Sequence, residues 1–275
     1  MLDFNLNPPH IMGVLNITPD SMLDGGQYLQ LADALARSEE MIQEGVAMID
    51  IGGESTRPNA QPVTVEVELQ RVLPVIKAIR KQFSIPLSID TSQPVVMRAA
   101  IEHGVNMIND VRALRVPGAL ATAAQLNVPI CLMHMSYPFG KPDGAVDPLG
   151  NEPMAAIIDF FHARITACEQ AGIAREKLLI DPGFGGGSFG KSPKQNVHIL
   201  KNMAQLTQFK LPILVGLSYK SFISALLDVP LPQRLPGALA ATVLAMIGGA
   251  TIVRTHDVPP TLQVVRLVHA VDTAD

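Results

Sequence analysis

The chain has 275 residues, a formal net charge of -4, 48% hydrophobic and 17% charged residues, 21 Gly, 22 Pro, 2 Cys and no Trp. That length allows one or two domains with a core that needs no staples, and the composition excludes disorder as the main state. The mildly acidic balance argues against general nucleic-acid binding while leaving room for a local anion site. Cys131 and Cys168 make no disulfide framework, and no apolar run is long enough for a membrane span.

The opening MLDFNLNPPH lacks the basic and apolar regions of a secretory signal, so a cytoplasmic location is expected. An apolar run at Ile11–Asn16 predicts the first strand. Leu31–Glu44 then places Leu31, Leu35 and Ile42 on one helical face, and Gly45 stops it. The run Ala47–Gly52 leads into a helix over Glu66–Lys81, with Leu69, Leu73, Ile76 and Ile79 on its apolar side. Pro86–Asp90 precedes a helix over Pro94–His103, where Pro94 suits a first turn. Asn106–Asp110 pairs in the same way with Pro117–Leu126. Pro129–His134 is separated by a polar, Gly- and Pro-rich loop (Ser136–Pro153) from a helix over Pro153–Ala171. Lys177–Asp181 precedes Lys194–Leu206; Pro212–Ser218 precedes two helices, Ser221–Asp228 and Gly237–Ile247; Thr251–His256 precedes Thr261–Ala270.

These eight short runs are apolar with little alternation, as in strands covered on both faces. Eight strand–helix repeats in a chain of this length predict the α/β class, as a single-domain (β/α)8 TIM barrel. A doubly wound open sheet is the rival, because periodicity does not show closure. Polar or Gly-rich residues follow all eight strands, whereas an open sheet gathers such chemistry at a switch point. That favours the barrel.

The strand ends of a barrel converge on one face. This face would hold Asn16, Asp20, Asp50, Thr56, Arg57, Asp90, Asn109, His134, Asp181, Lys220, Arg254 and His256. Three acids, Asp50, Asp90 and Asp181, need partners if buried. Asn109 and Lys220 supply some, and the remainder points to a ligand with several N–H donors. Arg57, Lys220, Arg254 and His256, with Thr56, Ser218 and Asn16, form a second group that suits a phosphate-bearing ligand. Asp110 is expected to cap or pair locally, His134 to be a rim histidine bonded to its neighbours, and Cys131 to be a buried inert thiol. The other histidines, His10, His103, His162, His198 and His269, show no metal spacing.

The segments NITPDSMLDGG (Asn16–Gly26) and IDIGGESTRP (Ile49–Pro58) resemble the first two signatures of the dihydropteroate synthase family. SIDTSQPVVMRAAIEHGVNMINDV, IDPGFG, LVGLSYKS and VRTHDV follow in that family's order, so the resemblance covers nearly the whole chain. It implies a (β/α)8 enzyme of folate synthesis, usually a homodimer, that joins 6-hydroxymethyl-7,8-dihydropterin diphosphate to p-aminobenzoate with Mg2+ assisting. By resemblance the pterin pocket comprises Asp50, Asp90, Asn109, Met133, Asp181, Lys220 and Arg254. Asn16, Arg254 and His256 would take the diphosphate, with Mg2+ near Asn16. Thr56, Arg57, Pro58, Phe184, Ser218 and Lys220 would take the aminobenzoate. Catalysis would fall to Asp90, Lys220, Arg254 and His256. A pterin-dependent methyltransferase is a second reading, but it should lack GESTRP and the Ser-x-Lys segment, and this chain has both. A pterin-binding paralogue without synthase activity is a third.

Three departures from the family pattern stand out. Met22 lies where the family has an aromatic-containing pair, DPGFGGGSFGK (Asp181–Lys191) is longer than the family's DPGFGFGK, and Tyr219 replaces the usual Arg beside Lys220. All three are expected to flank the aminobenzoate, and the added Gly-Gly-Ser to loosen the loop beneath it.

Overall fold

The computed structural model describes residues 10–17, 31–54, 63–139, 147 and 149–274. Its strands are β1 (His10–Asn16), β2 (Met48–Gly52), β3 (Leu87–Asp90), β4 (Met107–Asp110), β5 (Ile130–Met133), β6 (Leu178–Asp181), β7 (Leu214–Gly216) and β8 (Ile252–Thr255). They pair in parallel in the order β6-β5-β4-β3-β2-β1-β8-β7. A single parallel bridge between Ile180 and Ile213 joins the two ends and brings the sheet round on itself. The barrel expected from the eight repeats is the architecture found.

The helices are α1 (Leu31–Glu44), α2 (Val65–Gln82), α3 (Pro94–Glu102), α4 (Ala119–Leu126), α5 (Pro153–Gln170), α6 (Pro193–Lys201), α7 (Ser221–Leu227), α8 (Leu235–Ile247) and α9 (Val258–Asp272). Two of them, α7 and α8, lie between β7 and β8, as the sequence indicated. Local chemistry explains their ends. Thr64 caps α2 through its hydroxyl, Glu66 and Glu68 sit in the first turn, and Arg80 and Lys81 sit in the last, each matching the helix dipole. Ser192 and Gln195 form a reciprocal capping box at the start of α6. The helix expected over Lys194–Leu206 stops at Lys201 and continues as a 3-10 segment from Met203 to Phe209. There the Asn202 amide donates to His198 O at 2.8 Å, offering that carbonyl a side-chain partner where the helix ends. In contrast, α9 begins earlier than Thr261, because Pro259 and Pro260 fall in its first turn, where a missing N–H costs nothing. Among the described residues no helix is long and apolar enough to cross a membrane.

The pleat of the strands positions the site. Met12, Met48, Met107, Cys131, Leu179, Leu214 and Ile252 pack as one apolar cluster inside the barrel. Side chains two residues further along a strand point the same way. Two residues past Met48, Met107, Cys131, Leu179 and Ile252 stand Asp50, Asn109, Met133, Asp181 and Arg254. The intervening residues, such as Ile49, Ile108, Leu132, Ile180 and Val253, join the larger core between strands and helices. A sulfur-rich floor thus carries a polar layer directly above it.

Candidate active site

Asp50 on β2 is at the centre of that layer. Its Oδ2 accepts from Arg254 Nε at 2.7 Å and from Asn109 Nδ2 at 3.0 Å. Arg254 also donates from Nη2 to Asp90 Oδ2 at 3.0 Å, so one guanidinium from β8 spans the carboxylates of β2 and β3. These two bonds use two of the five guanidinium N–H groups. Asp50 has no exposed surface. Through Oδ2 it orients Arg254 and Asn109 from below, while its Oδ1 has no hydrogen-bond partner among the described residues.

Asp181 ends β6 and is 5% exposed. Its Oδ1 accepts from the Gly183 N–H at 2.7 Å. Gly183 sits at φ +69°, where a Cβ would stand 2.1 Å from His134 O, so the turn that delivers this bond requires glycine. Burial pushes the Asp181 carboxyl up to about 6, opposed by that N–H and by the Lys220 and Lys191 amines. Burial pushes Lys220 down to about 8, opposed by Asp181, and Lys191 down to about 7, again opposed by Asp181. Burial also raises Asp90, against the pull of Arg254. Two acids raised and two amines lowered mark a dry site, a hallmark of ligand-binding and catalytic centres.

His256 follows β8, half-buried. Its Nδ1 lies 3.1 Å from Ser218 Oγ and its Nε2 lies 3.4 Å from Asn16 Nδ2. Ser218, expected on the aminobenzoate side, is thus engaged with the imidazole expected to meet the diphosphate. Asn16 ends β1 and His256 follows β8, the strand beside it in the sheet. Among the described residues no group of three or more His, Cys, Asp or Glu is placed to hold a metal. A lone amide oxygen beside an anion site fits Mg2+, which keeps its waters and takes few protein ligands alongside substrate phosphates.

Phe184 was expected against the aminobenzoate. It is 1% exposed, stacked on Phe222 at 6.2 Å and part of the main core. The ring beside Lys220 is that of Phe189, whose centroid lies 4.5 Å from Lys220 Nζ. It packs with Val111, Met133 and Met135 as a small separate cluster. Within the longer loop Gly187–Phe189 form a 3-10 turn, and Gly185 N–H is held by Asn196 Oδ1 at 2.8 Å. Ser221 opens α7 next to Lys220, and its Oγ would be 3.8 Å from a Cβ on Gly186 of the same loop. Phe189, Lys191 and Ser221 were not singled out from sequence. Only their adjacency to Gly-rich segments and to Lys220 could have drawn attention to them.

Tyr219 adopts φ +54° and donates to Asp257 Oδ1 at 3.0 Å, with its ring edge-on to His256 at 6.1 Å. Burial and Asp257 push its hydroxyl up to about 12, so it stays a neutral donor. Asp110 serves local structure: it accepts from Ser92 Oγ and from the N–H groups of Arg112 and Leu114. His134 is buried instead of lying at the rim, with Nδ1 lacking a partner among the described residues and its ring edge-on to Phe160 at 4.8 Å. Burial and the Lys191 and Arg115 cations hold it well below the usual imidazole range, so it is neutral. Asp20, Met22, Thr56, Arg57 and Pro58 lie outside the described residues.

Comparison with known proteins agrees with this geometry. A family model described as pterin binding enzyme matches residues 12–256. The dihydropteroate synthase of Escherichia coli (strain K12) is 48% identical over 267 residues, covering 97% of this chain and 93% of that protein. The Yersinia pestis dihydropteroate synthase in complex with a sulfonamide drug superposes with a TM-score of 0.92 at 43% identity, covering 99% of this chain and 97% of that one. The Xanthomonas albilineans dihydropteroate synthase in complex with 7,8-dihydropteroate superposes at 0.84 and 40% identity, covering 100% of this chain and 96% of that one.

Proposed function

The chain belongs to the dihydropteroate synthase family of pterin-binding enzymes and carries out that family's condensation, and we propose that its strand-end residues divide the work as follows. Asp181, Asn109 and Lys220 hold the pterin edge: the carboxylate accepts two N–H donors in one plane, and the lysine donates to a ring acceptor. Met133, with 5% of its surface exposed, lies against the ring. The N–H groups of Arg254 not used on Asp50 and Asp90, together with His256 and Asn16, receive the diphosphate. Phe189, Lys220 and Ser221 form the described part of the aminobenzoate half-site, and Thr56, Arg57 and Pro58 belong to it by resemblance.

The C–O bond between the pterin methylene and the diphosphate breaks, and the electron pair leaves with the oxygen. Arg254 and His256 stabilise that departing charge. When bound beside Asn16, Mg2+ supplies further charge neutralisation on the diphosphate. Asp90 faces the cation left on the pterin methylene. The aminobenzoate nitrogen forms the new C–N bond and sheds a proton to the released diphosphate. It is already a competent nucleophile, so no activated Ser or Cys is needed, and the residues act by placement and field. Ser218 on Nδ1 holds His256 in register for this step, and the diphosphate takes the place of the Asn16 amide nitrogen at Nε2.

The observation that carries this assignment is Arg254 bridging Asp50 and Asp90 in the layer that also bears Asp181 and Asn109. Its test is turnover of purified protein with pterin diphosphate, p-aminobenzoate and Mg2+, following diphosphate and dihydropteroate together. Equal yields are expected. Asp181→Asn should lose pterin binding by calorimetry, and unchanged affinity refutes the pterin assignment.

The chain also assembles as a homodimer on this reading. The support is a groove of about 380 Å3 between α6 and α8, lined by Val197, Leu200, Lys201, Ala204, Leu244, Ile247 and Gly248. Leu244 and Ile247 are 54% and 72% exposed there, on a helix without a charged residue. A cytoplasmic location accords with the two buried free thiols, Cys131 and Cys168.

A further inference from the structure

Lys191 closes the segment between β6 and α6 and is 4% exposed. Its Nζ donates to two main-chain carbonyls, His134 O and Phe189 O, each at 3.2 Å. A buried amine held by carbonyls bears a desolvation cost that no carboxylate offsets at contact distance. An apolar side chain of similar volume would avoid that cost, so the group's contribution must lie in what it holds together. One carbonyl belongs to the end of β5 and the other to the turn that carries Phe189. The same two segments meet twice more. Ser136 N–H donates to Phe189 O at 3.3 Å. Gly190, at φ +73°, lies so near Ser136 that a Cβ would stand 2.3 Å from the serine Cβ. The pinned turn presents the Phe189 ring to Lys220 Nζ at 4.5 Å.

We propose that Lys191 is a positioning residue for the second substrate: by fixing the main chain at Phe189 it sets the slot between that ring and Lys220 into which a flat aromatic amine enters. This rests on the reading that the slot receives p-aminobenzoate. Lys191 touches neither substrate; it acts through Phe189.

The test compares Lys191→Met, Lys191→Gln, Phe189→Leu and the Lys191→Met/Phe189→Leu double variant, with KM and kcat measured for both substrates. Lys191→Met is expected to raise the aminobenzoate KM roughly tenfold, the scale of one or two lost hydrogen bonds, while the pterin diphosphate KM stays within about twofold. Phe189→Leu should raise the aminobenzoate KM at least as much. The double variant should be no worse than Phe189→Leu alone, because both act through one ring. Lys191→Gln, which keeps N–H donors without charge, should recover part of the loss. Because the chain has no Trp, Phe189→Trp gives a single fluorescent reporter, and adding Lys191→Met should shift its emission to the red and increase collisional quenching. If Phe189→Leu leaves the aminobenzoate KM unchanged, the slot reading falls. If Phe189→Leu raises it but Lys191→Met does not, or if Lys191→Met shifts both KM values alike with unchanged reporter emission, the role of Lys191 is overturned. Should Lys191→Met fail to fold, Lys191→Ala, which also removes the donors, decides with the reporter: an unmoved emission and unchanged KM values overturn the role.

Discussion

Glu68 in α2 is 1% exposed and lies under Gly53, where a Cβ would come within 3.0 Å of the glutamate Cγ. Its Oε1 has no hydrogen-bond partner among the described residues. Burial pushes its carboxyl from 4.5 up to about 7, opposed by a Thr91 hydrogen bond and by Arg112 and Arg71, and reinforced by Glu54. Between those two values the folded chain keeps a proton that the unfolded chain has released. Stability contributed at this site therefore falls as pH rises through that interval, and the full penalty stands above pH 7. Glu68→Gln removes the charge at nearly constant volume. It should raise Tm by several degrees at pH 8, corresponding to ~1–3 kcal/mol, with the gain vanishing below pH 4.5. Scanning calorimetry from pH 4 to 8 checks this; a gain independent of pH refutes it.

At the scale of elements, the junction after β6 is set by backbone geometry. Gly183 combines a left-handed φ of +69° with contact against His134 O, and its N–H orients Asp181. Gly183→Ala should cost about 2 kcal/mol or more and weaken pterin binding together with stability, read by thermal unfolding and calorimetric titration. This junction also shows where sequence is legible. The eight apolar runs ended in polar residues, and seven of the strands lie within the run that indicated them while β1 starts one residue earlier, at His10, because burial on both faces leaves an unbroken hydrophobic stretch. The pleat then placed Asp181, Asn109 and Arg254 in one layer above the floor. Within the Asp181–Lys191 segment no period applies, so nothing in the sequence distinguishes Phe184, which turns into the core against Phe222, from Phe189, which turns to Lys220. Likewise Ser218 meets His256 only because β7 and β8 are neighbours. Lys191 was invisible for the same reason: its partners are backbone carbonyls, one of them His134 O, far away in sequence.

At the scale of the molecule, the exposed apolar face of α6 and α8 is the expected contact between copies. Ile247→Glu places a charge in that groove and should convert a dimer to monomers in sedimentation equilibrium, leaving the circular dichroism of the barrel unchanged. A wild-type chain that sediments as a monomer at micromolar concentration refutes the assignment. The barrel itself is not equally tight all round. Seven neighbouring strand pairs share a ladder, while β6 and β7 meet at the single bridge between Ile180 and Ile213. Asp181 and Lys220 stand at the mouth of this seam, one following each strand. A pterin bound to both is a rung in a ladder that the chain leaves nearly empty. Amide exchange at Ile180, Ile213 and Leu214 should slow on pterin binding more than exchange in β2 or β3. The bound pterin then acts as a mechanical brace that finishes the hoop.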